Sequence, residues 1–468
     1  VADPPGVSIA FDDPPMEPDP TWTRIDTLAG CRVRDWTVDR GRPDEFSKTG
    51  TGSAVVHIVD RAGLFDPTNT TSPYNGKIVP GKQAAVSLHN PVSDTWASVF
   101  TGFVEAWRYR LAPLRDYMDL ELQLVDGFAV LERAELIVGE DGALPLPAEI
   151  AKGNVAYGFT EGTGADRIHA ILGDVDWPDA RRDVFSLNTR FGPKAYGPGT
   201  SALEAIWDAV DGEFPGVGNA WCSKAGVVTV HGRQARFRPE VAEYGIAYYH
   251  VGDPSAWSGD ADPAHNVVPV AELEWAIGED NLYNACSATP QGIMQDDDTW
   301  RMLDPEKDDV AGQYVTDDAS IAAYGLRSIT FDQLQTVQGI IPGGGTPIGA
   351  LEETKLFASY YVTNYKDPAP RVSRLVFKSR LPTDPHGPAL WSFLSSVEIS
   401  DLLNIRTLHG GGGGFSTATV DDFYVEGIHM SCRPGAPDLP IVELSLDVSP
   451  RANYTDNVFT DDPETPDT

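Results

Sequence analysis

The sequence predicts a mainly β protein in which two barrel- or sandwich-type β domains flank an inserted, mixed α+β region. Two observations lead there. Apolar residues alternate with polar ones toward both ends of the chain, while helical spacing is confined to the middle and to one later segment. The 45 glycines and 37 prolines cut the chain into short elements, as turn-rich β folds require.

Residues 1–20 are rich in proline and aspartate and read as an extended N-terminal arm without a core of its own. Residues 21–134 read as the first β domain. Val33, Trp36 and Val38 stand among polar residues, Ala54 to Val59 is a β-branched run, Val86 to His89 alternates, and Val99 to Tyr109 and Leu120 to Val125 complete at least five strands. Residues 135–264 mix types. Ile168, Ile171 and Leu172 share a helical face, and Ser201-Ala-Leu-Glu204 is a capping box ahead of Leu203, Ile206, Trp207 and Val210. Trp221 to Val230 then reads as a hairpin turning at Gly226.

Residues 265–450 read as the second β domain, with strands at Glu272–Trp275, Tyr283–Thr289, Val372–Lys378, Asp401–Leu408, Asp422–Cys432 and Val442–Val448. An acidic loop from Asp296 to Asp309 and a helix from Ala350 to Asn364 interrupt it. The glycine run Gly410–Gly414 reads as a mobile loop, and residues 451–468 as a C-terminal tail. One internal echo stands out: Phe100 to Trp107 followed by Asp119 to Asp126 has the same order as Phe423 to Met430 followed by Val442 to Val448. Each pairs a strand carrying Val-Glu with an alternating strand, which is compatible with a duplicated β domain.

Composition narrows the function classes. At 468 residues the chain has room for roughly two to four domains of the usual size. Its 35 Lys+Arg against 69 Asp+Glu give a net charge of −34, a surface that repels phosphate, so stable nucleic-acid binding is not expected. The chain contains no apolar run of the roughly 18 residues needed to span a bilayer, so no membrane insertion of its own is expected. Cys31, Cys222, Cys286 and Cys432 lie far apart without a C-x-x-C spacing and are expected to be unpaired thiols.

Catalytic signatures are missing. The P-loop, H-E-x-x-H and G-x-S-x-G patterns do not occur, and Gly50-Thr-Gly52-Ser lacks the third glycine and following helix of a dinucleotide fingerprint. The nine histidines share no i,i+2 or i,i+4 spacing, and the acidic pairs follow no calcium-loop pattern, so neither a metal nor a cofactor is expected. Carbohydrate recognition by some of the 11 Trp and 16 Tyr is the alternative reading, with a cell-wall hydrolase behind it.

A string of turn-punctuated residues resembles a known family. Ala54 to Asp60, Phe65-Asp66-Pro67, Asn69, Ser72-Pro73-Tyr74, Pro80-Gly81, then Gly102 and Trp107, is similar to the N-terminal β domain of minor tail proteins from long-tailed bacteriophages of actinobacteria. Ser201 to Trp207, Gly226 and Arg233, Asn284, Ser320, Tyr324 and Gly325, Pro370-Arg371-Val372, and Val425 with Gly427 resemble its later parts, so the likeness runs over residues 21–450. The stretches Gly339–Pro347 and Gly410–Gly414 and the acidic loop depart from it. The resemblance implies a structural, non-catalytic tail-hub protein at the virion tail tip, made in the bacterial host cytoplasm. It also implies a homotrimer that meets the distal tail protein, the tape-measure protein and other minor tail proteins.

Overall fold

A computed structural model describes residues 6–454 apart from 112–116, 137–156, 160–161, 186, 188, 198, 215, 258–265, 279–280, 295–299, 305–307, 309–312, 341–346, 412–413 and 436–438. The acidic triplet Asp296–Asp298 and most of the C-terminal tail lie outside the described residues, as does much of the Gly339–Pro347 stretch.

Among the described residues fourteen strands join in one large, mostly antiparallel sheet. In chain order they are β1 (Gly6–Ile9), β2 (Thr23–Arg24), β3 (Cys31–Gly41), β4 (Ser53–Asp60), β5 (Gln83–Asn90), β6 (Thr95–Leu111) and β7 (Met118–Val125). They continue with β8 (Tyr248–Gly252), β9 (Val268–Pro269), β10 (Glu272–Ile277), β11 (Pro370–Lys378), β12 (Leu402–Gly411), β13 (Gly414–Pro434) and β14 (Pro440–Pro450). The mainly β fold expected from alternation is the fold observed. In β4, Ala54, Val56 and Ile58 are buried, as are Leu120, Leu122 and Leu124 in β7 and Val442, Leu444 and Leu446 in β14.

The echo noticed in the sequence is a repeated topology. Strands β3 to β7 are arranged in the order β3-β4-β7-β6-β5, and β10 to β14 in the order β10-β11-β14-β13-β12. Both hairpins carry a bulge at the same place. Val104 faces Leu124 and Ala106 faces Gln123, which leaves Glu105 extra; Val425 faces Val448 and Gly427 faces Asp447, which leaves Glu426 extra. Register thereafter runs in step, with Trp107 opposite Leu122 and Ile428 opposite Leu446.

Among the described residues seven α-helices accompany the strands: α1 (Gly127–Arg133), α2 (Gly164–Asp174), α3 (Ala202–Glu213), α4 (Arg233–Phe237), α5 (Asp318–Tyr324), α6 (Ala350–Tyr365) and α7 (Gly387–Ser396). Helices α1 to α3 and the hairpin Asn219–Cys222/Val228–His231 build the middle core around Phe128, Ile168, Trp177 and Ile206. The Ser201 hydroxyl caps α3 by accepting from the Glu204 N–H at 3.1 Å. The reciprocal box stands one helix earlier, between Thr163 and Asp166, where aspartate replaces the usual Glu or Gln. Helix α6 packs through Phe357, Tyr360 and Tyr361 on a third core with Cys286 and Phe214.

Several expectations change in the fold. The N-terminal arm is not coreless: β1 pairs with β5, and Val7, Ile9 and Phe11 are buried, because an edge strand offers unpaired backbone to any alternating segment that reaches it. The two β segments share one sheet and one core, since β3 pairs directly with β13 and the α7 residues Leu390, Trp391 and Phe393 lie in the same cluster as Trp36 and Leu122. Strand β8, from the region read as mixed, runs parallel to β12 in this sheet, whereas Ala285–Pro290 leaves it for a small sheet beside α6. Of the Gly410–Gly414 run, Gly412 and Gly413 lie outside the described residues, while Gly410 and Gly411 are not loop: they pair with Phe415 and Gly414, since the register fixed by the longer β12–β13 pairing carries them into the ladder despite the low strand preference of glycine.

The four cysteines are free thiols, three buried and Cys31 partly so. Burial pushes the Cys31, Cys286 and Cys432 thiols up to about 12 and Cys222 higher still. Thiol titration of the unreduced, denatured protein should therefore find four groups, and the folded protein should react far more slowly; recovery of two or none in the denatured state would contradict this.

Candidate assembly interface

Where β3 meets β13, two repeated units are bound into one surface, and the chemistry of that joint starts from the bulge. Because Glu426 is the extra residue, its side chain leaves the regular alternation and is fully buried. Its carboxylate accepts from Arg42 Nε at 2.8 Å, Arg236 Nη1 at 2.8 Å, Arg236 Nη2 at 3.1 Å and the Ser449 hydroxyl at 2.5 Å. The Arg236 guanidinium lies 4.4 Å from the Tyr424 ring centre. Burial raises the carboxyl pKa, but Arg236, Arg42 and the hydrogen bonds outweigh it and hold Glu426 at about 2. One carboxylate thus links β13, the segment after β3, and α4 of the middle region.

Close approach at the joint selects glycine on both strands. Gly41, at φ +98°, faces Gly427, and a Cβ on Gly41 would stand 2.2 Å from the Glu426 carbonyl oxygen. A Cβ on Gly427 would stand 2.8 Å from the Arg42 carbonyl oxygen. On the open face His429 bridges Asp39 at 2.9 Å and Asp447 at 2.7 Å, and these carboxylates raise its pKa to about 10. Behind the joint Arg40 reaches Glu398 at 2.8 Å, whose other oxygen accepts from the Lys224 N–H at 2.8 Å, so the middle hairpin is fastened to both units.

The motif residues named from sequence fall into three places and not one. Phe65 is buried against Phe11, Tyr74 and Trp107, with ring centres 6.0, 5.6 and 5.8 Å away. The loop around it is closed by its own polar groups. The Phe65 N–H donates to Asp60, Asp66 accepts from Thr68, Asn75 donates to the Pro67 carbonyl, Asn69 donates to the Gly63 carbonyl, and Ser72, which precedes Pro73, donates to the Leu64 carbonyl. Gly81, after Pro80, turns at φ +83° and donates to Val104, while a Cβ on Gly102 would meet the Val125 carbonyl oxygen at 2.2 Å. The second place is the end of α5. Buried Asn284 donates to Ser320 Oγ at 3.2 Å and to the Gly325 carbonyl at 2.8 Å, next to exposed Tyr324, and accepts from the Arg327 N–H. Val425 and Gly427 belong to the third place, the joint itself.

Sequence reasoning missed Glu426, Arg42, Arg236 and Phe11. The repeated Val-Glu was the available signal for Glu426, but Glu105, its counterpart, is exposed and paired with Arg133 at 2.7 Å, so the residue type alone does not separate the two. Among the described residues no three His, Cys, Asp or Glu side chains are grouped to hold a metal ion. A cavity of about 340 Å³ between α3 and Ile329–Leu334 is lined by Lys48, Trp207, Asp208 and Asp211, and Lys48 is ion-paired with Asp211 at 2.7 Å.

No family model and no curated protein matches the chain. Solved structures are similar to it at low identity. A tail protein from Neisseria meningitidis MC58 is 12% identical with a TM-score of 0.49, over 98% of this chain and 99% of that one. The 43 kDa tail protein of prophage MuSo2 from Shewanella oneidensis is 11% identical with a TM-score of 0.48, over 96% and 99%. The E. coli c3393 protein is 10% identical with a TM-score of 0.41, over 90% and 74%; it is described as a type VI secretion component with structural similarity to the T4 tail proteins gp27 and gp5. None of the three comes from the actinobacterial phages that the motif string resembles. All three TM-scores lie below 0.5.

Proposed function

We propose that the chain is a structural minor tail protein that forms the hub at the tail tip of a bacteriophage virion. In this reading it is a homotrimer whose three chains contribute six β units to a ring around the tail lumen. It joins the tube to the host-contacting parts and meets the distal tail and tape-measure proteins. The observation that carries this is the repeated five-stranded unit: two copies of one topology, each with the same bulge, are already joined edge to strand within a single chain. A joint between unlike edges propagates head to tail and closes into a ring when the rotation permits. The resemblance of the Phe65–Trp107 string to tail-hub proteins gives that ring its place, and the actinobacterial host is part of the same resemblance. The reading includes no catalysis.

Reconstruction of an intact particle tests the arrangement. Three copies of the chain presenting six β units around the lumen are expected; six copies in the ring, or a peripheral fibre, would refute it. Zymography of the purified protein on host cell wall should show no clearing, and lysis would favour the hydrolase reading instead.

A further inference from the structure

The internal joint shows which edges are complementary, and the repeat places the same two edges, with no strand partner among the described residues, at the outer ends of the chain. Strand β10 stands in its unit where β3 stands in the first, and it pairs with β11 alone among the described residues. The half of β6 from Ala106 to Leu111 stands where β13 runs from Gly427 to Cys432; it has β7 on one side, whereas β5 pairs only as far as Phe103. Counting along the repeat, Leu273 corresponds to Trp36, because Leu273 faces Leu375 as Trp36 faces Val56, and those two partners face Leu446 and Leu122. Gly278 then takes the position of Gly41, the residue that the internal joint requires to be glycine.

We infer, on the ring reading above, that β10 of one copy adds antiparallel to residues 106–111 of β6 in the next copy, in the register of the β3–β13 joint. That register sets Gly278 opposite Ala106, so glycine is kept on the β10 side while Ala106 adds a methyl group where the internal joint has Gly427; it sets Ile277 opposite Trp107, Ala276 opposite Arg108, Trp275 opposite Tyr109 and Glu274 opposite Arg110. Side chains agree on both faces. Trp36, Val38 and Arg40 are buried in the internal joint, and their counterparts Leu273, Trp275 and Ile277 are apolar; Trp275 is 49% and Ile277 69% exposed in the single chain. They would meet Tyr109 and Trp107, which already rest on the main core. On the other face Glu274 meets Arg110, both exposed, which is an opposite-charge pair of the kind that favours one cross-strand register. An edge strand with an exposed Ile is otherwise an aggregation hazard, and pairing with a second copy removes it.

Paired cysteines test the register. A276C with R108C in one chain should, on oxidation, convert the monomer band on a denaturing gel into a closed covalent trimer, while either single variant should not. I277K, at an exposed position, should leave the melting temperature of the monomer unchanged and abolish the oligomer seen by native mass measurement. A trimer that persists in I277K, or that forms without cross-linking in the double variant, would overturn this joint and leave the ring reading to another contact. A wild-type chain that stays monomeric at every concentration would overturn both.

Discussion

Glu426→Ala should lower the unfolding free energy by about 3–5 kcal/mol, the range found when one member of a buried ion cluster is removed and its partners stay behind. The size follows from what remains: Arg42 is 2% and Arg236 0% exposed, and both lose their carboxylate. Denaturant titration of wild type and variant measures it, and a loss under about 1 kcal/mol, as for an ordinary surface substitution, would show that the guanidiniums find other partners. The pH dependence has a definite sign. An unfolded glutamate titrates near ~4.3, whereas folded Glu426 is held at about 2. Its contribution is therefore present above pH ~4.3 and is lost as pH falls through 2. The gap between wild type and variant should shrink across that acid window and stay constant above it.

Phe11→Ala should cost about 3–5 kcal/mol, as for a buried aromatic truncated in a packed core. Its ring is 2% exposed and lies 4.4 Å from Tyr74, 6.0 Å from Phe65 and 6.4 Å from Trp107. The arm is also tied to the loop by Lys82, which donates to the Asp13 carbonyl at 2.9 Å. Loss of the ring should therefore loosen residues 63–82 as well as the arm, and trypsin should cut faster after Lys77 and Lys82 than in wild type. Unchanged cleavage together with an unchanged melting temperature would mean that the arm rests on the domain without supporting it.

Local chemistry determined much of this molecule in the sequence itself. Period-two alternation marked β7 and β14, because a strand buried on one face leaves that trace whatever it packs against, and a β-branched run marked β4. Ser201 marked the start of α3, and Asp66-Pro67, Ser72-Pro73 and Pro80-Gly81 marked a turn-rich loop, since caps and turns are decided within a few residues. The Val-Glu echo marked the repeat. Tertiary structure alone decided the rest. Whether the glutamate of that echo is buried depends on Arg236, 190 residues away along the chain, and not on its neighbours. Whether the arm is loose depends on the free edge of β5, and Phe11 looks no different in sequence from a disordered residue. The union of the two β units was the least legible feature. It consists of backbone hydrogen bonds between β3 and β13, which any residue except proline can make, so the traces it left are few: the facing pair Gly41 and Gly427, where the strands run too close for a Cβ, and the opposed Asp39 and His429.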